Sequence, residues 1–400
     1  MEITGAQIFV KALKEESVTT LFAYPGGQAI DLFNALYGEK EIDVILPRHE
    51  QGLVHAADGY ARSTGKVGVC LVTSGPGATN LVTGIATANY DSVPLVCFTG
   101  QVPTSLIGNE AFQEVDIVGI TRSISKYAVT VRKREDLAET IRKAFYIAKT
   151  GKPGVVVVDL PKDVQRAYGS DNYQKEITVR GYKPNTSVHM GQLNKALDIL
   201  SHAKKPVFLI GGGVNIAHAN KEMTQLAEMT GVPVITTIMG KGAIPTTNDL
   251  YVGNIGIHGS YAANSAISKC DVLFSIGTRF NDRITGKIDE FAVNAKIIHI
   301  DIDTASISRN IIVDVPIVAD AKKAICALLE RAKPLHISEW TDEINRWKME
   351  YPIDMEKNGL TPQMVIQSIN EVFEDAVVTT DVGQNQLWTT QVLDIDENKQ

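Results

Sequence analysis

The chain lacks most of what would tie it to a membrane, a nucleic acid or a disulfide frame. No run of 18 apolar residues occurs among its 400 residues, so no membrane-spanning helix is expected. Cysteine is scarce: Cys70, Cys97, Cys270 and Cys326 stand far apart, with no C-x-x-C pair. That spacing argues against a zinc site or a disulfide scaffold, and the four read as small buried hydrophobes in a reducing compartment. Basic charge is lacking too. The 39 Lys and Arg against 46 Asp and Glu leave a net charge of −7. Binders of nucleic acid or anionic membrane need a basic footprint, and none is present. There is no P-loop, no Gly-x-Ser-x-Gly elbow and no His/Cys/Asp cluster at metal-ligand spacing. A hydrolase or metalloenzyme confined to these residues is therefore not expected.

What the chain does have is core-forming sequence. A hydrophobic content of 44% and a charged content of 21% describe a soluble globular protein, and its length suggests roughly two to three domains. Thr4-Gly5-Ala6-Gln7 is a capping-box pattern, with Ile8, Phe9, Ala12 and Leu13 on one helix face. It starts the chain without a targeting segment, and a cytoplasmic protein is expected. Strands are expected at Thr20–Ala23, Ile42–Leu46, Val67–Thr73, Pro94–Thr99 and Val155–Leu160, with helices between them such as Glu135–Lys149. Runs such as Val67 to Val72 are apolar on both faces, as parallel strands are. The first 165 residues thus read as a doubly wound α/β domain. After an irregular linker, 166–188, a second α/β block has strands near Val207–Ile210, Val234–Thr237, Val272–Ile276, Ile297–Ile302 and Ile317–Ala319. Lys333 to Leu360 reads as another linker. Thr361-Pro362-Gln363 opens a helix, and a strand is expected at Ala376–Thr380. Residues 361–400 are too few to bury a core of their own, so they read as the truncated start of a third domain. The alternative is a small appendage packed on the second.

Several motifs fall at expected strand ends, where α/β sheets bind ligands. Pro47-Arg48-His49-Glu50-Gln51-Gly52 places a carboxylate between a strand and a helix. A partly desolvated carboxylate there suits acid–base work; a dipole-complementing helix-terminal Glu is the plainer alternative. Tyr24-Pro25-Gly26-Gly27 lets backbone amides approach a ligand, or is a plain turn. Thr73-Ser74-Gly75-Pro76-Gly77-Ala78-Thr79-Asn80 is a glycine-rich strand-to-helix turn able to bind an anion. In the long loop Gly108–Glu114, Phe112 suits a substrate wall and Gln113 a donor; an Ω-loop packed by its own Phe is the alternative. Gly211-Gly212-Gly213 is an incomplete dinucleotide fingerprint that suits close approach to a large cofactor. Gly277-Thr278-Arg279-Phe280-Asn281-Asp282-Arg283 offers Arg279 to a pyrophosphate, and Asp301 suits a ribose hydroxyl.

Taken in order, these segments closely resemble the catalytic (large) subunits of the acetolactate synthase, or acetohydroxyacid synthase, family of thiamine diphosphate enzymes. The similarity rests on Tyr-Pro-Gly-Gly at 24–27, Arg-His-Glu-Gln-Gly at 48–52, Ala-Ala-Asp-Gly-Tyr-Ala-Arg at 56–62 and the 73–80 turn. It continues in Thr-Gly-Gln-Val-Pro at 99–103, Ala-Phe-Gln-Glu at 111–114, Leu-Pro-Lys-Asp-Val at 160–164 and Thr-Asp-Val-Gly-Gln at 380–384. The resemblance implies a pyrimidine-binding thiamine diphosphate domain over 1–165 and a Rossmann-like FAD-binding domain over 189–332. Residues 361–400 then begin a diphosphate- and Mg²⁺-binding domain whose metal motif does not occur in these residues. It implies Glu50, Gly27 and Gln113 as catalytic residues and Phe112 and Lys162 as substrate residues. Thiamine diphosphate contacts fall on Tyr24, Pro25, Gly26, Glu50, Pro76, Asn80, Gln384 and Asn385. FAD contacts fall on Gly211, Gly212, Gly213, Thr237, Ile257, His258, Gly277, Arg279, Asn281, Arg283, Asp301, Ile302, Asp320 and Ala321. The reaction implied joins a decarboxylated pyruvate to pyruvate or 2-ketobutyrate, the first common step of branched-chain amino-acid synthesis. The partners implied are a second copy or a homotetramer, and a regulatory small subunit. Another thiamine diphosphate carboligase or decarboxylase, or an inactive cofactor-binding fragment, is the competing expectation.

Overall fold

In the computed structural model, residues 2–185, 187–353 and 359–396 are described. The chain divides into two compact units, Met1–Pro184 and Asn185–Gln400. The strands of the first are β1 (Glu2–Thr4), β2 (Thr20–Ala23), β3 (Asp43–Ile45), β4 (Gly68–Val72), β5 (Leu95–Gln101), β6 (Tyr127–Thr130), β7 (Val155–Pro161) and β8 (Tyr168–Ser170). Six of them form a parallel sheet in the order β3-β2-β4-β5-β7-β6, while β1 and β8 pair antiparallel.

Alternation along the central strands explains both layers of the first unit. Val69, Leu71, Val96, Phe98, Val156 and Val158 point to one face, where they pack with Ile8, Phe9, Leu13, Leu32, Ile141 and Phe145 from helices Gly5–Glu15, Ile30–Leu36 and Leu137–Lys149. Cys70, Val72, Leu95, Cys97, Val155 and Val157 point the other way. They meet Leu53, Val54, Ala57, Ile85 and Ala88 from helices Glu50–Thr64 and Val82–Tyr90. Side chains two residues apart share a face, so a strand buried on both sides must be apolar throughout. The capping box at Thr4 and Gln7 forms as expected.

The second unit repeats the plan. Strands β9 (Pro206–Ile210), β10 (Val234–Thr236), β11 (Tyr251–Asn254), β12 (Val272–Ile276), β13 (Lys296–Asp301) and β14 (Val315–Val318) form a parallel sheet in the order β11-β10-β9-β12-β13-β14. The doubly wound parallel architecture expected from the buried apolar runs is thus present in both units.

Four expectations need correction. The stretch from Lys333 to Leu360, read as a linker, contains helix Ser338–Glu350, which buries Trp340, Ile344 and Trp347 in the core of the second unit. The strand expected at Ala376–Thr380 is absent apart from an isolated bridge residue at Ala376. A strand needs a ladder of partners, and among the described residues this segment forms no ladder. Strands Tyr127–Thr130 and Tyr251–Asn254 were not expected; both are short edge strands, and every residue of the first is only half-buried. Finally, Cys326 is exposed, unlike the other three cysteines. Thr361 does cap a helix, Pro362–Val372, by accepting from the Met364 amide at 3.3 Å. A further helix, Gln384–Val392, follows. The last four residues of the expected 361–400 segment lie outside the described residues.

Candidate active site at two sheet edges

In the first sheet the chain runs outward from β2 to β3, then crosses back to β4 on the other side of β2. The crevice between β2 and β4 is therefore the switch point, where open parallel sheets hold ligands. Tyr24–Gly27 leave β2 there, and Thr73–Asn80 leave β4. The two are joined by the Tyr24 amide donating to Leu71 (2.9 Å) and the Gln28 amide donating to the Thr73 hydroxyl (3.2 Å).

Glu50 opens helix Glu50–Thr64, which His49 caps by accepting from the Gln51 amide at 3.0 Å. It is half-buried. Its Oε2 accepts from Asn80 Nδ2 at 2.9 Å, so two residues 30 apart in sequence meet at this edge. Its Oε1 finds no donor among the described residues and faces Gly77, where a Cβ would sit 3.4 Å away. A carboxylate with one oxygen anchored and the other beside a glycine suits a nitrogen heterocycle. Its chemistry is that of a partner for an aminopyrimidine nitrogen.

Pro76 starts the short helix Pro76–Thr79 behind Gly75, whose φ of +59° favours glycine. A Cβ at Gly75 would lie 2.7 Å from the Gln113 carbonyl, so the Gly108–Glu114 loop packs directly on this turn. Gln113 itself has φ +59°, a strained conformation for a non-glycine residue. Phe112 is 83% exposed, so the loop is not packed by its own Phe. Glu114 closes the loop instead. The amides of Gly108 and Ala111 donate to its carboxylate and, with neighbouring amides, hold it below the usual carboxylate range.

Gly27 is exposed, and its carbonyl accepts from Lys162 Nζ. Lys162 also lies 3.8 Å from Asp31, with less than a fifth of its side chain exposed. Gln165 donates to the Gln28 carbonyl at 2.7 Å. Gln165 and Asp159, which accepts from Thr99 at 2.7 Å and from Gln101 at 3.1 Å, lie outside the motifs read from the sequence. Asp159 carried a signal: it is a lone carboxylate in an otherwise apolar strand.

In the second sheet the switch point lies between β9 and β12. Gly211–Gly213 leave β9 and Gly277–Arg283 leave β12. A Cβ on Gly211 would stand 2.1 Å from the Gly277 carbonyl, so part of the need for glycine here is the approach of one loop to the other. Thr237, Ile257 and His258, Ile302 and Asp320 follow the C-terminal ends of the neighbouring strands, Asp301 is the last residue of β13, and Ala321 opens the next helix. The Ile257 amide donates to the Arg283 carbonyl at 3.3 Å, and Asp320 caps helix Ala321–Leu329 through the Lys323 amide at 3.0 Å. Arg279 and Asn281 are exposed at this edge. Asp301 is buried, accepts from the Asp303 amide at 2.8 Å and lies 3.8 Å from His299. Burial pushes the His299 imidazole down to about 4, so it is neutral, with Nε2 facing the Thr278 carbonyl at 2.8 Å. Thr278 Oγ1 and His299 Nδ1 are buried without a partner, which leaves polar capacity beside the crevice, as a large polar cofactor needs. Gln384 and Asn385 begin helix Gln384–Val392 in this unit, and Gln391 of that helix donates to the His258 carbonyl at 3.1 Å. Among the described residues no group of three or more His, Cys, Asp or Glu is placed to hold a metal ion, and no helix is long and apolar enough to cross a membrane.

Comparison with known proteins matches a domain in each unit. Residues 3–120 match the thiamine pyrophosphate enzyme N-terminal TPP-binding domain, and residues 193–328 match the thiamine pyrophosphate enzyme central domain. A protein of Methanocaldococcus jannaschii named "Probable acetolactate synthase large subunit" is 47% identical over 96% of this chain and 67% of its own length. The acetolactate synthase large subunit of Buchnera aphidicola is 44% identical over 97% of this chain and 70% of its own, and that of Haemophilus influenzae 43% over 99% and 71%. The chain spans about two thirds of the length of these relatives. Their names are those of enzymes, which speaks against the alternative of an inactive cofactor-binding module. The chain therefore belongs to the acetolactate synthase large-subunit family of thiamine pyrophosphate enzymes.

Proposed function

We propose that the protein is the catalytic chain of an acetolactate synthase, joining the two-carbon unit of a decarboxylated pyruvate to pyruvate or 2-ketobutyrate, in the branched-chain amino-acid pathway. The observation that carries this reading is Glu50, anchored by Asn80 at a sheet switch point with its other oxygen beside Gly77. Thiamine diphosphate, when bound, supplies the nucleophilic carbon and the electron sink for decarboxylation. Glu50 would hold and move a proton at a pyrimidine ring nitrogen, with Asn80 fixing its orientation. Tyr24, Pro25, Gly26 and Pro76 would line the ring's crevice. The Gly27 backbone, Gln113 and Phe112 would face the reacting carbon and its substrates, and Lys162 would hold the Gly27 turn in place. Gln384 and Asn385 would serve the diphosphate with Mg²⁺.

FAD would sit along the C-terminal edge of the second sheet, where its fourteen candidate residues lie at strand ends, on the loops that follow or in the first turns of the next helices, and would act structurally. A homodimer or homotetramer and a regulatory small subunit complete the proposed assembly; relatives named as large subunits support the latter. A cytoplasmic setting agrees with the free thiols of the four cysteines.

The test is acetolactate formation from pyruvate with thiamine diphosphate, Mg²⁺ and FAD, followed by product analysis. Glu50→Gln is expected to lower turnover by about 10²–10⁴-fold with an unchanged melting temperature. Wild-type turnover in that variant would sink the assignment.

A further inference from the structure

Near its C-terminal end the β7 strand carries a carboxylate to which the proposed reaction gives no role. Asp159 is 2% exposed. Its Oδ1 accepts from Thr99 Oγ1 at 2.7 Å, and its Oδ2 accepts from Gln101 Nε2 and Thr130 Oγ1, each at 3.1 Å. Gln101, itself buried, donates from the same Nε2 to the Val115 carbonyl at 2.9 Å, while its Oε1 accepts from the Val102 amide at 2.9 Å. One turn further along the chain, Asp163 accepts from the Thr104 amide at 2.9 Å and from the Thr104 hydroxyl. The segment 159–163 therefore grips both ends of the 102–116 connection, at Thr104 and, through Gln101, at Val115. Between those ends lie Phe112 and Gln113, and the Gln113 backbone presses on Gly75 of the turn that leads to Asn80 and Glu50.

We propose that Asp159 and Asp163 are positioning residues that clamp the two ends of the loop carrying Phe112 and Gln113. The proposal rests on the reading that this loop faces the reacting groups. Three features support it. The loop tip is strained at Gln113 and exposed at Phe112; Glu114 closes only its 108–114 span, and a strained conformation persists only where surrounding contacts impose it. Burying a carboxylate costs stability unless donors meet it, and three donors converge on Asp159. The clamps come from β7 and from helix Lys162–Arg166 that directly follows it, regular elements of the kind that keep a reacting group in register.

The test measures amide hydrogen exchange over residues 106–116 in the full chain, beside turnover. Asp163 is exposed, so Asp163→Ala should fold. It and Gln101→Ala are expected to speed exchange at Asn109, Ala111 and Glu114 about tenfold and to lower kcat about tenfold. Helix Leu137–Lys149 should keep its protection. Asp159→Ala should do the same. The isosteric Asp159→Asn, which keeps an acceptor for Gln101 and a donor for Thr99, should restore slow exchange. Unchanged loop exchange in both Asp163→Ala and Gln101→Ala would overturn the proposal, and so would a loosened loop with full kcat. A loosened loop in a chain whose parent makes no acetolactate would leave the clamp standing and remove the proposed reaction instead.

Discussion

At the scale of single residues, Asp159 shows how a buried carboxylate reveals itself through pH. Burial pushes its carboxyl up from the ordinary 3.8 to about 6, against the pull of the Thr99, Gln101 and Thr130 donors, and nearby Asp116 adds to the rise. The folded state therefore holds the proton more tightly than the unfolded chain does. This contribution to stability is fully present below about 3.8 and is lost as pH rises to about 6. Above that range the ionised group costs on the order of 3 kcal/mol. Asp159→Asn should flatten the stability profile of the first unit between these values and raise stability at neutral pH, read by urea titration at several pH values. An undiminished pH slope in the variant would assign it to other groups. Glu50 was legible from sequence because its neighbours form a motif. The role of Asp159 was not, because it depends on Thr99 and Gln101 of β5 and Thr130 of β6, which only the folded sheet brings to it.

At the scale of elements, legibility followed periodicity and pairing. Central strands such as Thr20–Ala23 and Val272–Ile276 match expectation residue for residue, because burial on both faces forces an unbroken apolar run. Helix Ser338–Glu350 escaped because its charged composition resembles a solvated linker. Its pattern is helical all the same: Trp340, Ile344 and Trp347 recur at helix spacing and are buried. Trp340 Nε1 donates to the Pro206 carbonyl at 3.1 Å, and its ring meets Trp347 edge-on at 5.7 Å. On the outer face Glu343 pairs with Lys205 at 2.8 Å and Lys269 at 3.6 Å, and those two lysines lie over the two tryptophan rings. Trp340→Ala should cost about 3–5 kcal/mol and leave the Pro206 carbonyl short of a donor. Glu343→Gln, at a partly exposed ion pair, should cost about 1 kcal/mol or less. Equal losses in thermal melts of the two variants would contradict this ranking.

At the scale of the whole molecule, one device occurs twice. Each unit is a six-stranded parallel sheet whose chain reverses direction of growth beside its first long strand, and each places its glycine-rich turns on that switch point. The reading proposed here gives the two crevices different occupants, and binding should reveal which is which. A ligand that binds only the native state protects the backbone around it and stabilises its unit by mass action, about 2.7 kcal/mol at a hundredfold excess over Kd. FAD added to the chain should slow amide exchange at 211–215, 237–242 and 277–285 while leaving 24–28 and 73–80 unchanged. Thiamine diphosphate with Mg²⁺ should do the reverse at the first-unit turns, and Glu50→Gln should weaken that protection without touching the flavin response. The control separates the sites because the substitution lies in one unit and the flavin response is read in the other. Flavin protection at the first-unit turns, or flavin binding lost in Glu50→Gln, would contradict the assignment of one cofactor to each sheet.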